Sequence, residues 1–156
     1  MIIHLTGSDT YRSRARLHQL REAFIAKHDP AGFNVVTLDG ATATASDIRA
    51  AITGGGLFAK KNFVIINGYD PASAACPSSE VLGLLTPLAA LADTIVVIRD
   101  VVGAMVKKKS SRGKKTTANI FRIPDAKREE FPFLTPTEAQ QWLMKEAKHG
   151  GGGLAA

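Results

Sequence analysis

The run Phe63-Val64-Ile65-Ile66 is apolar at every position, and this continuity decides the fold. A strand with one face in water alternates apolar and polar residues, whereas a strand covered on both faces is apolar throughout. Residues 94–98 (TIVVI) form the most β-prone stretch of the chain, and residues 2–5 (IIHL) are another short apolar run. These three strands are therefore expected inside a parallel sheet.

Helical segments separate the strands, which predicts an α/β fold with helices on both faces of the sheet. After the first strand, Ser8-Asp9-Thr10 offers three helix-capping residues, and apolar residues follow at helical spacing. The remaining predicted elements are a strand over 33–38, a helix capped at 46–47 that ends near 52, a loop over 71–79, a helix over 81–91, a loop over 103–119, weak strands over 120–123 and 130–134, and a last helix that opens at 135–138 and ends at Gly150.

The composition indicates one domain of ordinary size. The chain has 156 residues, is 45% hydrophobic and carries a formal net charge of +6. Its single cysteine, Cys76, excludes an internal disulfide and fits a reducing compartment. Because the sequence has neither a signal peptide nor an apolar stretch of membrane-spanning length, a soluble cytoplasmic protein without a membrane partner is expected.

Catalytic chemistry is not evident in the sequence. Residues 7–13 (GSDTYRS) lie where a phosphate-binding loop would follow the first strand, but the second glycine and the lysine of that motif are missing. Asp9 would instead put a carboxylate at the helix N-terminus, where a phosphate would otherwise bind. Asp100 is a weak candidate for a magnesium ligand. The histidines lack ligand spacing, and His4 is expected to be a satisfied strand residue. No catalytic residue, metal or cofactor is predicted, and a nucleotide-binding enzyme is disfavoured.

One apolar doublet is unusual. Leu57 and Phe58 follow three consecutive glycines and precede Lys60 and Lys61. The two side chains either close a helix and pack into the core, or project together from a turn as an anchor for a partner's apolar pocket. Composition alone leaves both interpretations open.

Four segments, taken in order, resemble the delta subunit of bacterial DNA polymerase III, a clamp-loader subunit. The first is residues 2–14, an apolar strand followed by a glycine, an aspartate and a helix. The others are residues 56–67, residues 93–98, and residues 129–134 together with the Trp142 helix over 139–148. Each match is loose, but together they cover most of the chain.

The resemblance implies a three-layer AAA+-like domain whose phosphate-binding loop has degenerated. It implies that Leu57 and Phe58 bind the sliding clamp (the beta subunit) and help to open it, with ATP chemistry left to other loader subunits. Residues 1–149 would form this domain and residues 150–156 a flexible glycine-rich tail. The helical lid and collar of the family are missing from the sequence, so assembly with other loader subunits would require a collar supplied from elsewhere.

A basic run departs from the family pattern. Residues 107–115 are KKKSSRGKK, which places six cations among nine positions. The run is either a solvated loop or a weak, sequence-independent contact with DNA phosphates. The residues concerned are Lys107, Lys108, Lys109, Arg112, Lys114 and Lys115. A basic nucleic-acid-binding module is therefore the alternative function.

Overall fold

The alternation of strands and helices is as predicted. The computed structural model describes residues 1–54, 61–71, 78–87, 93–100 and 123–149. Its elements are β1 (Ile2–Thr6), α1 (Thr10–His28), β2 (Val35–Asp39), α2 (Ala45–Thr53), β3 (Asn62–Tyr69), α3 (Ser78–Leu85), β4 (Thr94–Asp100), β5 (Lys127–Glu130) and α4 (Pro136–His149). Among these helices, none combines the length and apolar character needed to cross a bilayer.

The described strands form one parallel sheet in the order β2-β3-β4-β1-β5. The two most apolar strands are neighbours, with Phe63 beside Ile95 and Ile66 beside Ile98. Such strands lie at the centre because a central strand meets neighbours on both edges and helices on both faces. The α/β class and the parallel sheet predicted from the sequence are thus confirmed.

The sheet has a core on each face. Phe63 and Ile65 pack on the face that α1 covers with Phe24. Their neighbours Val64 and Ile66 point the other way, into a core shared with α2 and α3. The helices lie on different faces because the chain reverses direction along the sheet: it runs one way from β1 to β2 and the other way from β2 through β3 to β4. Right-handed crossovers then place α1 on one face and the later connections on the opposite face.

Two helix starts follow the predicted capping chemistry. The carboxylate of Asp9 caps α1 by accepting from the backbone N–H of Arg12 at 2.9 Å. At α2 the predicted cap at 46–47 is wrong: the cap is Thr44, and Asp47 lies inside the first turn, where it forms a reciprocal capping box with Thr44. At α4, Glu138 accepts hydrogen bonds from the backbone and hydroxyl of Thr135, with Pro136 in the first turn as expected.

The second strand was predicted two residues too early. Strand β2 begins at Val35, and Phe33 lies in the preceding turn with 86% of its surface exposed. The turn persists because Gly32 has a φ of 73° and the buried carboxylate of Asp29 accepts from the backbone N–H of Asn34. These polar contacts outweigh the β propensity of Phe33.

Three other boundaries differ from the prediction. Helix α3 begins at Ser78, inside the predicted loop, where the Ser78 hydroxyl donates to the carbonyl of Pro71. The edge strand covers residues 127–130 and not 130–134, since the chain leaves the sheet at Phe131. Ile123 is buried but lies in no strand. Residues 88–92, most of the predicted loop over 71–79 and the segment 101–122 are outside the described residues.

Candidate functional site

The carboxyl end of the sheet is the first place to look for a site. After β1 the chain crosses towards β2, whereas after β4 it passes β1 to reach β5 on the other side. Ligands of open α/β sheets bind in the crevice outside such a switch point. Here that crevice lies between the ends of β1 and β4.

The turn after β1 is filled by its own side chains. The Asp9 carboxylate accepts from the Arg12 backbone N–H at 2.9 Å and from the Arg12 Nε at 2.7 Å. Partial burial alone would raise the pKa of Asp9, but the hydrogen bonds and charge of Arg12 outweigh it and hold that pKa below its usual value. Asp9 is therefore an anion at the helix N-terminus, as the sequence predicted.

The backbone after β5 lies across the same turn. The N–H of Asp9 donates to the carbonyl of Phe131 at 2.9 Å, and the N–H of Phe131 donates to the carbonyl of Thr6 at 2.7 Å. The Arg12 guanidinium also donates to the carbonyl of Pro132. A phosphate-binding loop needs the amides of this turn free to face its ligand, whereas the Asp9 amide is bonded to Phe131 and the Arg12 amide to the Asp9 carboxylate. The prediction of a plain capped helix is therefore confirmed.

The end of β4 holds two polar pairs, one buried and one partly buried. His4 Nε2 lies 2.9 Å from the Asp100 carboxylate, and both residues are buried. On the opposite face, Arg99 Nε donates to Asn67 at 2.7 Å, and burial lowers the pKa of the Arg99 guanidinium, with a smaller effect from Arg14. His4 is thus the satisfied strand residue expected from the sequence, and Asp100 binds this histidine. Within the described ranges, no group of three or more acidic, histidine or cysteine side chains could hold a metal ion.

The amino end of the sheet is the second candidate. Leu57 and Phe58 are outside the described residues, and the residues described on either side of that segment are Gly54 and Lys61. Gly54 closes α2 by donating to the carbonyl of Ala50 at 2.7 Å, and Lys61 directly precedes β3. Chain connectivity therefore attaches the doublet at the edge where the strands begin. Cys76 and the basic run from Lys107 to Lys115 also lie outside the described residues.

A third large apolar residue near this edge, Phe33, was missed by the sequence analysis. Phe33 precedes β2, and the neighbouring Asn34 accepts at its carbonyl from the N–H of Phe63 at 2.9 Å. This bond places Phe33 within a few residues of the point where residues 55–60 enter β3. The preceding sequence Asp29-Pro30-Ala31-Gly32 already signalled a turn, and extending the turn through Phe33 would have identified it.

Comparison with solved structures finds a similar fold in a DNA clamp loader protein. The DNA clamp loader delta protein YqeN of Bacillus subtilis is similar with a TM-score of 0.58 and 15% identity, over 96% of this chain and 43% of that one. A DNA polymerase III gamma subunit-related protein of Thermotoga maritima gives a TM-score of 0.49 and 13% identity, over 93% of this chain and 45% of that one. No protein-family model and no curated sequence matches the chain.

At the level of the fold, the resemblance inferred from the sequence is confirmed. The chain has an α/β architecture similar to that of the Bacillus subtilis clamp loader delta protein. It spans less than half of that protein's length. At 15% identity the likeness establishes the architecture alone.

Proposed function

We propose that this chain is the clamp-binding domain of a replication clamp loader, with residues 1–149 as the domain and residues 150–156 as its tail. The observation that carries the proposal is the likeness in fold to a clamp loader delta protein over 96% of the chain. The engaged amides of the turn after β1 also favour a subunit that leaves ATP chemistry to others. Its partners would be the sliding clamp and the other loader subunits, in the cytoplasm.

Leu57 and Phe58 are the proposed contact with the clamp. Both are large and apolar, follow three glycines and precede two lysines at the amino edge of the sheet. Aromatic and aliphatic anchors that fill an apolar pocket supply most of the affinity at such interfaces. Binding would help to open the sliding clamp if this contact is stronger on an opened clamp than on a closed one.

Replacing both residues by alanine tests the assignment. The variant Leu57→Ala/Phe58→Ala should lose at least about a hundredfold in affinity for a bacterial sliding clamp, since two anchors are truncated together. The matched control is Leu143→Ala/Met144→Ala, because these two adjacent apolar residues of α4 are exposed and lie on another element. Surface plasmon resonance measures the affinity and circular dichroism checks the fold. Equal losses in the two variants, or none in either, would contradict the assignment.

DNA contact by the basic run is the second candidate function. It is favoured by the six cations within residues 107–115 and by the net charge of +6. Phosphate contacts release counterions, so duplex affinity should fall steeply with salt. Replacing the six cations by serine should weaken duplex binding and flatten its salt dependence in fluorescence anisotropy titrations. Unchanged affinity in that variant would rule the run out as the contact.

A further inference from the structure

Phe33 is the most exposed of the large apolar side chains in the described ranges, at 86%. A single exposed apolar residue is common on protein surfaces and by itself indicates nothing. Phe33 differs because the chain around it is held in place, and because it lies at the edge of the sheet to which the Leu57–Phe58 segment is attached.

The turn that carries Phe33 is built on a buried carboxylate. Asp29 is 5% exposed and accepts from the Asn34 N–H at 2.7 Å, while its carbonyl accepts from the Gly32 N–H at 2.8 Å. At the other end, the Asn34 carbonyl is bonded to Phe63 at the start of β3. Both sides of Phe33 are therefore anchored, so a partner would not need to order this backbone on binding.

Basic side chains flank this turn. His28, at the end of α1, contacts the ring of Phe24 with the ring centroids 5.5 Å apart. Desolvation lowers the pKa of His28, and the positive charges of Lys61 and Lys27 lower it further. Both ammonium groups therefore act on the His28 imidazole. Asp93 lies farther along the edge, at the start of β4. Basic residues thus precede the Phe33 turn along the chain, and Lys61 precedes β3, the strand whose first residues pair with the end of that turn.

We propose that Phe33 is a second apolar anchor for the partner that receives Leu57 and Phe58. The proposal rests on the function proposed above, and the occupant is accordingly the sliding clamp. The partner surface must then offer an apolar pocket bordered by carboxylates that face Lys27 and Lys61. An aromatic anchor with a charged rim follows the usual arrangement of interfaces, where the centre supplies affinity and the rim guides association.

The test compares two exposed phenylalanines at opposite ends of the sheet. Phe33→Ala should weaken clamp binding by about tenfold or more. Phe133→Ala removes a ring that is 73% exposed at the carboxyl end, where its backbone N–H donates to the Ser8 hydroxyl, and should leave the affinity unchanged. Both variants should keep the thermal stability of the parent because neither ring is buried. Lys27→Glu should slow association and reduce its salt dependence.

The outcomes distinguish the second-anchor proposal from the proposed clamp-binding function. If Leu57→Ala/Phe58→Ala abolishes binding while Phe33→Ala binds like the parent, the second anchor is refuted and the proposed function stands. If Phe33→Ala and Phe133→Ala weaken binding equally, the effect is not local to this edge, and the second anchor is again refuted. If the unmodified chain does not bind a sliding clamp, both proposals fail together.

Discussion

Gly7 occupies the most constrained position among the glycines of the described turns. Its φ of 133° is strained for any residue with a side chain, and a Cβ atom there would lie 2.2 Å from the carbonyl oxygen of Phe131. That oxygen cannot move freely because it accepts the hydrogen bond of Asp9. The residue therefore joins the turn after β1 to the chain after β5.

We predict that Gly7→Ala lowers the free energy of unfolding by about 3 kcal/mol or more, as strain and overpacking add. The control is Gly83→Ala, inside α3, where a Cβ atom would meet nothing within 4 Å. That change should raise stability by about 0.5–1 kcal/mol through helix propensity. Urea unfolding monitored by circular dichroism measures both. A Gly7→Ala variant as stable as the parent would contradict the packing described for the turn.

Single residues were predictable where their chemistry is local. Asp9 as a helix cap follows from its position after an apolar strand, and His4 as a satisfied strand residue follows from its apolar neighbours. Phe33 was assigned to a strand because its β propensity is high. Its exposure depends on the buried Asp29 carboxylate, and burial of a charged group cannot be read from neighbouring sequence.

Among the secondary-structure elements, β5 carries the clearest electrostatic contacts. The Arg16 guanidinium on α1 binds Glu129 of β5 through two hydrogen bonds, of 2.7 and 3.1 Å. The bond from Arg16, with a smaller contribution from Lys127, lowers the pKa of the Glu129 carboxyl although burial opposes the shift. The pair thus fastens the outer strand of the sheet to the helix above it.

This pair predicts a pH dependence of stability. Because the folded pKa of Glu129 is below the ordinary value of 4.5, its contribution is present above that pH and is lost as the pH falls through the folded pKa. Glu129→Gln should cost about 0.5–1 kcal/mol at pH 7, and the difference from the parent should shrink below about pH 4.5. Glu130→Gln, at a more exposed carboxylate, is the control and should have little effect. A Glu129→Gln deficit that is constant across pH in denaturant titrations would contradict the ion pair.

Elements were predictable in proportion to their burial. The strands β1, β3 and β4 have apolar sequences because helices cover both their faces, so their runs identify them directly. Strand β5 has the sequence KREE and pairs with β1 on one side only. Its backbone bonds and ion pairs hold it in the sheet, and these leave no apolar pattern. The sequence therefore placed this strand on the more apolar residues that follow it.

At the scale of the whole molecule, the order of elements was sufficient to predict the architecture. Alternating strands and helices, with right-handed crossovers, allow few arrangements, and the observed sheet order β2-β3-β4-β1-β5 is one of them. The candidate site was harder to predict from the sequence than the architecture was. The family resemblance in the sequence suggests Leu57 and Phe58, which remain a prediction, whereas Phe33 became evident only from the turn and the pairing of Asn34 with Phe63.

The whole molecule can be divided into two ends with different roles. At the carboxyl end, Asp9, Arg12 and the backbone of Phe131 hydrogen-bond to one another in the turn after β1, where a phosphate-binding loop would keep its amides free. At the amino end, apolar and basic side chains are exposed. The proposed function puts the protein partner at the amino end, where Phe33 is exposed.

The most direct test of the central claim is a titration of the unmodified chain with a purified bacterial sliding clamp by isothermal calorimetry at physiological salt. The account predicts saturable binding that is competed away by a peptide spanning residues 54–62. It would be contradicted if no saturable binding is detected with clamp at roughly 100 μM, a concentration at which even a weak specific contact of about 7 kcal/mol would be seen half-formed or better.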